Sequence, residues 1–361
     1  MTELPSCIYS GTYKNGHVQG IAIDAERGFV YYSFTTILVK TDLNGNFLGS
    51  VTRLAGHLGC ISYDAENDRI YGSLELKHDS IGKGIIGRTG WDPSAEDSFY
   101  LAVFDCSAIV RADMDAEKDG VMTAVYLSDV VRDYSEVDEA SGKKHRYGCS
   151  GVDGTALGPD FGKPSDSPKK IMIAYGVYSE NDREDNDYQV ILCFDRSVVD
   201  EYAKPLDQAL PHHSGPERSK KRYFFYTGNT TFGVQNLEYD PASGNWFVTV
   251  YRGSKPSFEN FNMFFIDGKQ SPVEAPLIGR GGERGLILTS ARLGVEGRQE
   301  GIRGSHFEYG STGMASMGGG IFYFSHNGAN DDGFFTSIVK YKYAPHSEYV
   351  FERIESEDSE K

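Results

Sequence analysis

Long apolar runs are missing from this sequence of 361 residues. No stretch approaches the roughly 18 consecutive apolar residues that a membrane-spanning helix needs, so the sequence predicts no membrane protein. The first residues, Met1–Ser6, lack the basic and apolar regions of a secretory signal peptide. The five cysteines form no CxxC pair. An odd number of thiols in strand-like segments predicts buried, reduced side chains and a cytoplasmic protein.

Positive charge is also scarce. The chain has 36 Lys and Arg against 52 Asp and Glu, which gives a formal net charge of −16. An acidic surface repels phosphate backbones and anionic lipids, so we expect no nucleic-acid partner and no membrane partner. Neither a GxSxG nucleophile motif nor an HExxH zinc motif is present. Any catalytic site must therefore be assembled from residues that are distant in the chain.

A unit of strand, turn and second strand recurs three times. Its copies are Gly20–Phe34 (GIAIDAERGFVYYSF), Cys60–Leu74 (CISYDAENDRIYGSL) and Asn236–Val250 (NLEYDPASGNWFVTV). Each first strand ends in an aspartate, whose carboxylate can accept hydrogen bonds from the backbone of the turn that follows. We therefore assign Asp24, Asp64 and Asp240 a structural role.

Third and fourth strands follow in each unit. The third strands are Leu38–Asp42, Leu101–Asp105, Ile191–Asp195, Met263–Asp267 and Ile338–Tyr341, and the fourth strands are Phe47–Thr52, Met122–Leu127, Arg222–Thr227 and Val273–Ile278. Innermost strands then begin near His17, His57, Cys149, Gly233 and Ser311. Strand-only units at this spacing, without helical periodicity, predict an all-β, five-bladed β-propeller of four-stranded antiparallel blades.

The ends of the chain complete this prediction. Cys7–Tyr13 is expected to add the outermost strand of the last blade and so close the ring, which makes residues 1–354 a single domain. Residues 355–361 (ESEDSEK) are predicted to be a disordered acidic tail. The pattern resembles, at the level of architecture, the five-bladed propeller group, which includes sugar-processing hydrolases, apyrase-like nucleotidases and glutaminyl-cyclase-like enzymes. The resemblance implies the fold but no residue roles.

Polar side chains gather on the loops of one face of the predicted propeller, where each inner strand begins and where second strands lead to third strands. Loops on a rigid scaffold commonly carry function, so we expect the site at that mouth of the central channel. The beginnings of the inner strands supply His17, Gln19, His57, Tyr147, Ser150, Asp153, Gln235 and Thr312. The other loops supply Trp91, Arg252, His326 and Asn327.

Acid–base chemistry is what these residue types support. His17, His57 and Asp153 are the predicted catalytic residues, because imidazole titrates near neutral pH and a carboxylate can orient it. The remaining residues are predicted to bind the substrate. A glycosidase would need a second carboxylate, for which Glu75 and Glu238 are candidates. No cofactor is assured, and a divalent metal ion in the channel, with His17 and His57 as ligands, is left open.

The sequence therefore favours an enzyme, a glycoside hydrolase or lyase that acts on a small glycoside or oligosaccharide at the channel mouth. The alternative is a non-catalytic propeller that binds a small molecule or a protein partner. Nucleotide hydrolysis with a bound cation is disfavoured by the acidic chain, although a metal could offset local charge.

Overall fold

The computed structural model describes residues 4–92, 94, 96–137 and 142–355. The first eleven strands are β1 (Cys7–Tyr13), β2 (Val18–Asp24), β3 (Phe29–Phe34), β4 (Ile37–Asp42), β5 (Phe47–Thr52), β6 (His57–Asp64), β7 (Arg69–Leu76), β8 (Ser98–Asp105), β9 (Met114–Asp115), β10 (Met122–Tyr126) and β11 (Cys149–Gly158). The next seven are β12 (Lys170–Val177), β13 (Tyr188–Asp195), β14 (Lys221–Tyr226), β15 (Thr231–Asp240), β16 (Asn245–Tyr251), β17 (Met263–Asp267) and β18 (Val273–Pro276). The last are β19 (Arg284–Ile287), β20 (Val295–Glu296), β21 (Arg303–Ser305), β22 (Met314–Ser316), β23 (Ile321–Asn330), β24 (Gly333–Tyr343) and β25 (Phe351–Arg353). In the described residues, three α-helices interrupt them, α1 (Ser80–Thr89), α2 (Ser128–Ser135) and α3 (Ser197–Tyr202), and a short 3-10 helix spans Arg146–Gly148.

These strands form five sheets, which are the blades. From the inside outwards, blade 1 is β2-β3-β4-β5-β9, blade 2 is β6-β7-β8-β10, and blade 3 is β11-β12-β13-β14-β19-β18. Blade 4 is β15-β16-β17-β21-β20, and blade 5 is β22-β23-β24 with β1 and β25 on the outer edge of β24. The inner strands β2, β6, β11, β15 and β22 contact one another in cyclic order, so the blades form a ring. The predicted five-bladed propeller is confirmed.

The apolar core lies between neighbouring blades. Each of the five hydrophobic clusters joins side chains from two adjacent blades. Hydroxyl groups on second strands add a repeated link, because each donates to a carbonyl of the inner region of the next blade. The links are Ser33 Oγ to Gly59 O (2.6 Å), Ser73 Oγ to Asp153 O (2.8 Å) and Thr249 Oγ1 to Gly310 O (2.9 Å). Inner strands are therefore fixed by both packing and hydrogen bonds.

Two faces follow from the strand directions. Inner strands begin at what we call the upper face, near His57, and end at the lower face, near the aspartates of the first turns. There Asp24 accepts from Arg27 N (3.1 Å) and Asp240 from Ser243 N (2.8 Å). These turn contacts agree with the structural role expected for the repeated aspartates.

One predicted strand lies in a different blade. Val273–Ile278 was expected as the fourth strand of blade 4, but β18 pairs with β19, and β19 pairs in parallel with β14 of blade 3. The chain after β17 is long enough to cross to the neighbouring blade and cover its open edge. The fourth position of blade 4 is taken by β21, which pairs with β17.

The ends of the chain share one strand. β1 pairs with β24 from Cys7↔Val339 to Tyr13↔Phe334, and β25 pairs with the same edge at Tyr341–Tyr343. The predicted acidic tail falls almost entirely outside the described residues, which end at Glu355. Within the described residues, no helix is both long and apolar enough to cross a membrane.

Candidate functional site

Bulges in the inner strands deliver polar side chains to the upper end of the channel. The register shifts by one residue at Gln19 in β2, at Ser150 and Asp153 in β11, and at Gln235 in β15. A bulge turns a side chain away from the regular alternation of a strand, and bulges are common beside active sites. All four residues are buried and all four were predicted site residues.

Glu75 lies at the centre of the site, on the second strand of blade 2. Its Oε1 accepts from Val152 N (2.7 Å), and its Oε2 lies 2.7 Å from Lys77 Nζ. The carboxylate occupies the space above Gly151, where an added Cβ would lie 1.8 Å from Oε1. Only glycine therefore fits at position 151 while Glu75 holds this position.

Lys77 places a fixed positive charge among these acids. Its ammonium donates to Ser150 O (2.8 Å) and lies 3.4 Å from Asp79 Oδ2, in addition to its contact with Glu75. The side chain is buried. Burial alone would lower the pKa of Lys77, but Glu75 and the other nearby acids outweigh it and raise the pKa above its usual value. The lysine is therefore charged and compensates the buried Glu75.

His57 and Asp153 face each other beside this pair. His57 Nδ1 lies 3.4 Å from Asp153 Oδ1 and 3.8 Å from Glu75 Oε2. The two facing atoms are buried and have no hydrogen-bond partner among the described residues. Burial, followed by Lys77, lowers the pKa of His57 to about 3, while burial and then Glu75 raise the pKa of Asp153 well above its usual value. Both shifts favour the uncharged forms of the two groups, a neutral imidazole and a protonated carboxyl group.

Metal binding at this point is limited by the lysine. Donor atoms of His57, Glu75 and Asp153 all lie within 4.8 Å of one another. Histidine nitrogen and carboxylate oxygen are suitable ligands for a divalent ion. Lys77 Nζ, however, already lies against the same Glu75 oxygen that faces His57. A divalent ion would have to displace this ammonium, so the arrangement fits acid–base chemistry better than metal binding.

A second polar group from blades 1 and 4 adjoins the first. His17 Nε2 lies 3.1 Å from Gln19 Nε2 and 3.4 Å from the hydroxyl of Tyr251. Burial and then Arg88 lower the pKa of His17. Burial and then Asp153 raise the pKa of Tyr251 to about 12. The Tyr251 hydroxyl therefore lies close enough to Asp153 for the two groups to interact electrostatically. Gln235, also from blade 4, contacts the first group, because its Nε2 donates to Asp153 Oδ2 (3.1 Å).

Helix α1 lies over this part of the channel. It begins at Asp79, whose Oδ1 accepts from the backbone N–H groups of Ile81 and Gly82, and it ends at Gly90 in the left-handed conformation. The other oxygen of Asp79 accepts from the hydroxyl of Tyr178 in blade 3 (3.1 Å). The segment was predicted as a long loop; the N-cap carboxylate and the terminal glycine explain why it is helical.

The far end of the helix reaches blade 1. An added Cβ at Gly16 would lie 3.7 Å from the Arg88 guanidinium, which places this exposed arginine beside His17. Trp91 follows the helix and packs under the Arg53 guanidinium, 5.0 Å from the ring centroid, against the core of blades 1 and 2. Trp91 therefore fixes the helix at its outer end, and α1 extends from blade 3 to blade 1.

Five other predicted residues lie away from the His57–Asp153 pair. Tyr147 donates to Glu283 and packs between three arginine guanidinium groups. His326 stacks on Tyr309 and has its pKa lowered to about 4 by burial and then Arg353. Arg252 is exposed and donates to Asn260 O, and Thr312 is half-buried in the segment before β22. Asn327 donates to Val18 O (3.3 Å), which links blade 5 to blade 1.

Lys77 and Asp79 were missed from the sequence, and Glu75 was only a candidate. The alternation of polar and apolar residues in β7 and just after it indicates a polar face that includes Glu75 and Lys77. Ser73, Glu75 and Lys77 occupy every second position, while Leu74 and Leu76 lie between them. Because alternate residues of a strand share a face, this spacing places three polar groups on one side of a strand that is buried throughout.

Comparisons with known proteins add little to this description. No family model and no curated protein matches the chain. Among solved structures, the structure of the Dos1 propeller matches 87% of this chain and 68% of that chain, with 8% identity and a TM-score of 0.31. So low a score carries no argument about activity, and the propeller fold rests on the strand pairing and cyclic blade order of this chain.

Proposed function

We propose that the protein is a carbohydrate-active enzyme, a glycoside hydrolase or lyase, that acts on a small glycoside or oligosaccharide at the upper mouth of its channel. The observation that carries the proposal is the buried pair of His57 Nδ1 and Asp153 Oδ1, which face each other at 3.4 Å and have no hydrogen-bond partner in the part of the chain that the structure describes. Acids and bases with strongly displaced pKa values in a cleft are typical of catalytic sites.

The pair supports transfer of a single proton. Asp153 faces Nδ1 of the imidazole, which leaves Nε2 of His57 as the nitrogen available to a substrate or a water molecule. With the Asp153 proton directed at Nδ1, the neutral imidazole carries its own proton on Nε2 and can donate it to the leaving-group oxygen of a substrate. Nδ1 then takes up the Asp153 proton, so that Asp153 becomes a carboxylate and His57 stays neutral. Gln235 and Ser73 hold Asp153 in place through its side chain and its carbonyl, respectively.

Glu75 has a different role in this proposal. Both of its oxygens are engaged, one by Val152 N and one by Lys77. A retaining glycosidase needs a free carboxylate nucleophile next to its acid. We therefore assign Glu75 to positioning, through the Val152 amide that precedes Asp153, and favour a mechanism in which His57 and Asp153 carry the proton. Glu238, the other candidate, lies at the lower face and takes no part.

Substrate binding is assigned to the second polar group and the helix above it. His17, Gln19 and Tyr251 offer a donor and acceptor set suited to sugar hydroxyls. A cytoplasmic location is part of the proposal, supported by five free cysteines of which four are buried. Neither the proposed cytoplasmic location nor the proposed sugar substrate requires the divalent metal ion that the sequence left open.

An activity screen with matched variants tests the proposal. Purified protein is assayed for release of chromophore from aryl glycosides and for ultraviolet absorbance of unsaturated products from uronide oligosaccharides. We expect His57→Gln and Asp153→Asn to lower kcat by about 100-fold or more, in line with loss of a general acid–base group. The exposed controls His213→Gln and Asp182→Asn should keep full activity.

Either of two results would contradict the proposal. Unchanged turnover in both His57→Gln and Asp153→Asn would remove the pair from catalysis. If the wild-type protein turns over no substrate but its melting temperature rises with a sugar or another ligand, the alternative of a non-catalytic binding propeller is the better description.

A further inference from the structure

A second cavity opens at the lower face, at the other end of the channel. Its volume is about 350 Å³, within the range of small-molecule sites, and all five blades line it. Apolar side chains of Ile21, Ile61 and Leu157 form part of its walls, beside polar groups. Glu238 is the one acidic residue in the lining, and Lys169 is the one basic residue.

The cavity is separated from the upper site by contacts across the axis. An added Cβ at Gly20 would lie 2.7 Å from Ile61 N, so the inner strands of blades 1 and 2 touch there. Asn236 Nδ2, from blade 4, donates to Gln19 O (2.9 Å) and to Ser311 O (3.3 Å). A ligand at the lower mouth would therefore not reach the His57–Asp153 pair, and this inference does not depend on the proposed function.

Glu238 is a half-buried acid at this cavity. Its Oε1 accepts from Ser316 N (2.9 Å), and no described residue donates a hydrogen bond to its other oxygen. Burial raises its pKa to about 8; Asp240 on the same strand adds to the rise, while the Ser316 N–H and Lys169 oppose it. Lys169 itself is exposed and makes no hydrogen bond or ion pair with Glu238.

We propose that the lower cavity binds a small primary amine with an apolar substituent, whose ammonium group pairs with the Glu238 carboxylate. An ammonium supplies positive charge and N–H donors to the second carboxylate oxygen, while the substituent covers the apolar side chains of the wall. The net charge of −16 attracts cations to the surface as a whole.

Binding of n-butylamine, measured by ligand-observed NMR and calorimetry at pH 8.5, tests this inference. We expect one site per chain, with n-butanol and butyrate binding at least about ten-fold more weakly, because a hydrogen bond to a charged group is lost. Affinity for the amine should fall as the pH is lowered from 9 to 6, since Glu238 must lose its proton to pair with ammonium. Glu238→Gln should weaken amine binding about ten-fold or more.

The control is Asp153→Asn, which alters the upper site and should leave amine affinity within about two-fold, because distant sites behave independently. Equal binding of n-butanol and n-butylamine to the wild-type protein would overturn the proposal, and so would no binding at all. Because both of these measurements use the wild-type protein, they test the proposed amine site even if Glu238→Gln fails to fold. Unchanged amine affinity in a folded Glu238→Gln protein would also overturn it.

Discussion

Lys77 determines the charge balance of the upper site. Its Nζ lies 2.7 Å from Glu75 Oε2 in a buried pair. Removing the ammonium alone would leave Glu75 uncompensated in the interior, a change that typically costs about 3–5 kcal/mol or forces the acid to take up a proton. The lysine also favours a neutral His57, and it lowers the pKa of Asp153 against the rise caused by burial and Glu75.

The lowered pKa of His57 has a consequence for stability in acid. The unfolded chain protonates this imidazole below about pH 6.5, whereas the folded protein does so only near pH 3. His57 therefore stabilises the native state fully above pH 6.5, and this stability is lost as the pH falls. As the pH falls from 6.5 to 5, we expect the free energy of unfolding of His57→Gln to decrease by about 2 kcal/mol less than that of the wild type.

Urea denaturation at the two pH values measures the difference, since other titrating groups are common to both proteins. His213→Gln, which replaces an exposed histidine, serves as the control and should follow the wild type. Parallel loss of stability in His57→Gln and the wild type would show that His57 is not held neutral.

The sequence placed several candidate residues where bulges later turn polar side chains to the channel. Gln19, Ser150, Asp153 and Gln235 were inferred from their position at the beginning of inner strands, and each lies at a register shift. His326 was expected on a loop between a second and a third strand, but it lies within β23 and stacks on Tyr309. The sequence indicates that a residue lies on a strand, but which face it occupies depends on a register that only the assembled blade determines.

At the level of elements, close contact between inner strands fixes the spacing of neighbouring blades around the channel. At Gly20, an added methyl group would lie 2.7 Å from Ile61 N and 2.9 Å from Cys60 Cα. Both atoms belong to backbone, which cannot move aside as a flexible side chain can. The contact holds blades 1 and 2 at the distance that brings their site residues together.

We expect Gly20→Ala to lower the free energy of unfolding by about 1–3 kcal/mol, through overpacking between these two strands. Gly87→Ala is the matched control, because it adds the same methyl group to an exposed position of α1 with nothing within 4 Å. That change should be neutral or slightly stabilising, since alanine favours helix. Chemical denaturation of both variants gives the comparison, and equal stabilities would mean that the strand contact can relax.

At the level of elements, the repeated strands were predictable and the exceptions were local. The recurring Asp-centred turns identify the first two strands of blades 1, 2 and 4, and a second recurring pattern identifies the third strand of every blade. Residues 268–302 contain several short strands, and there β18 and β19 join blade 3 because the edge of β14 is open. Helix α1 depends on one carboxylate cap and one terminal glycine, which a search for longer periodicity does not detect.

For the whole molecule, the outer edge of blade 5 is the place where the two ends of the chain meet. β1 is tied to this blade by side chains as well as by strand pairing: Thr336 N donates to Ser10 Oγ (2.9 Å), and Lys340 Nζ donates to Leu4 O (2.9 Å). Ile8 of β1 is buried between blades 5 and 1. The first residues of the chain therefore contribute to the packing of the last blade.

Deletion of residues 1–13 should lower the free energy of unfolding by about 3–5 kcal/mol, because it exposes the edge of β24 and removes a buried isoleucine. Thermal and urea denaturation of the shortened protein measure the loss. Deletion of residues 356–361, which leaves β25 intact, is the control and should have little effect. A shortened protein with unchanged midpoints would show that blade 5 is stable without β1.

β25 and β1 lie end to end along β24. Lys340 O accepts from Ile354 N, and Lys340 N donates to Ser6 O, so a single residue of β24 binds the last strand and the first strand together. The outermost strand of blade 5 is thus one strand with a gap in its covalent backbone. A short peptide linking residue 355 to residue 4 would close that gap, and a circular permutant could then begin in any exposed loop while keeping the same ring of blades.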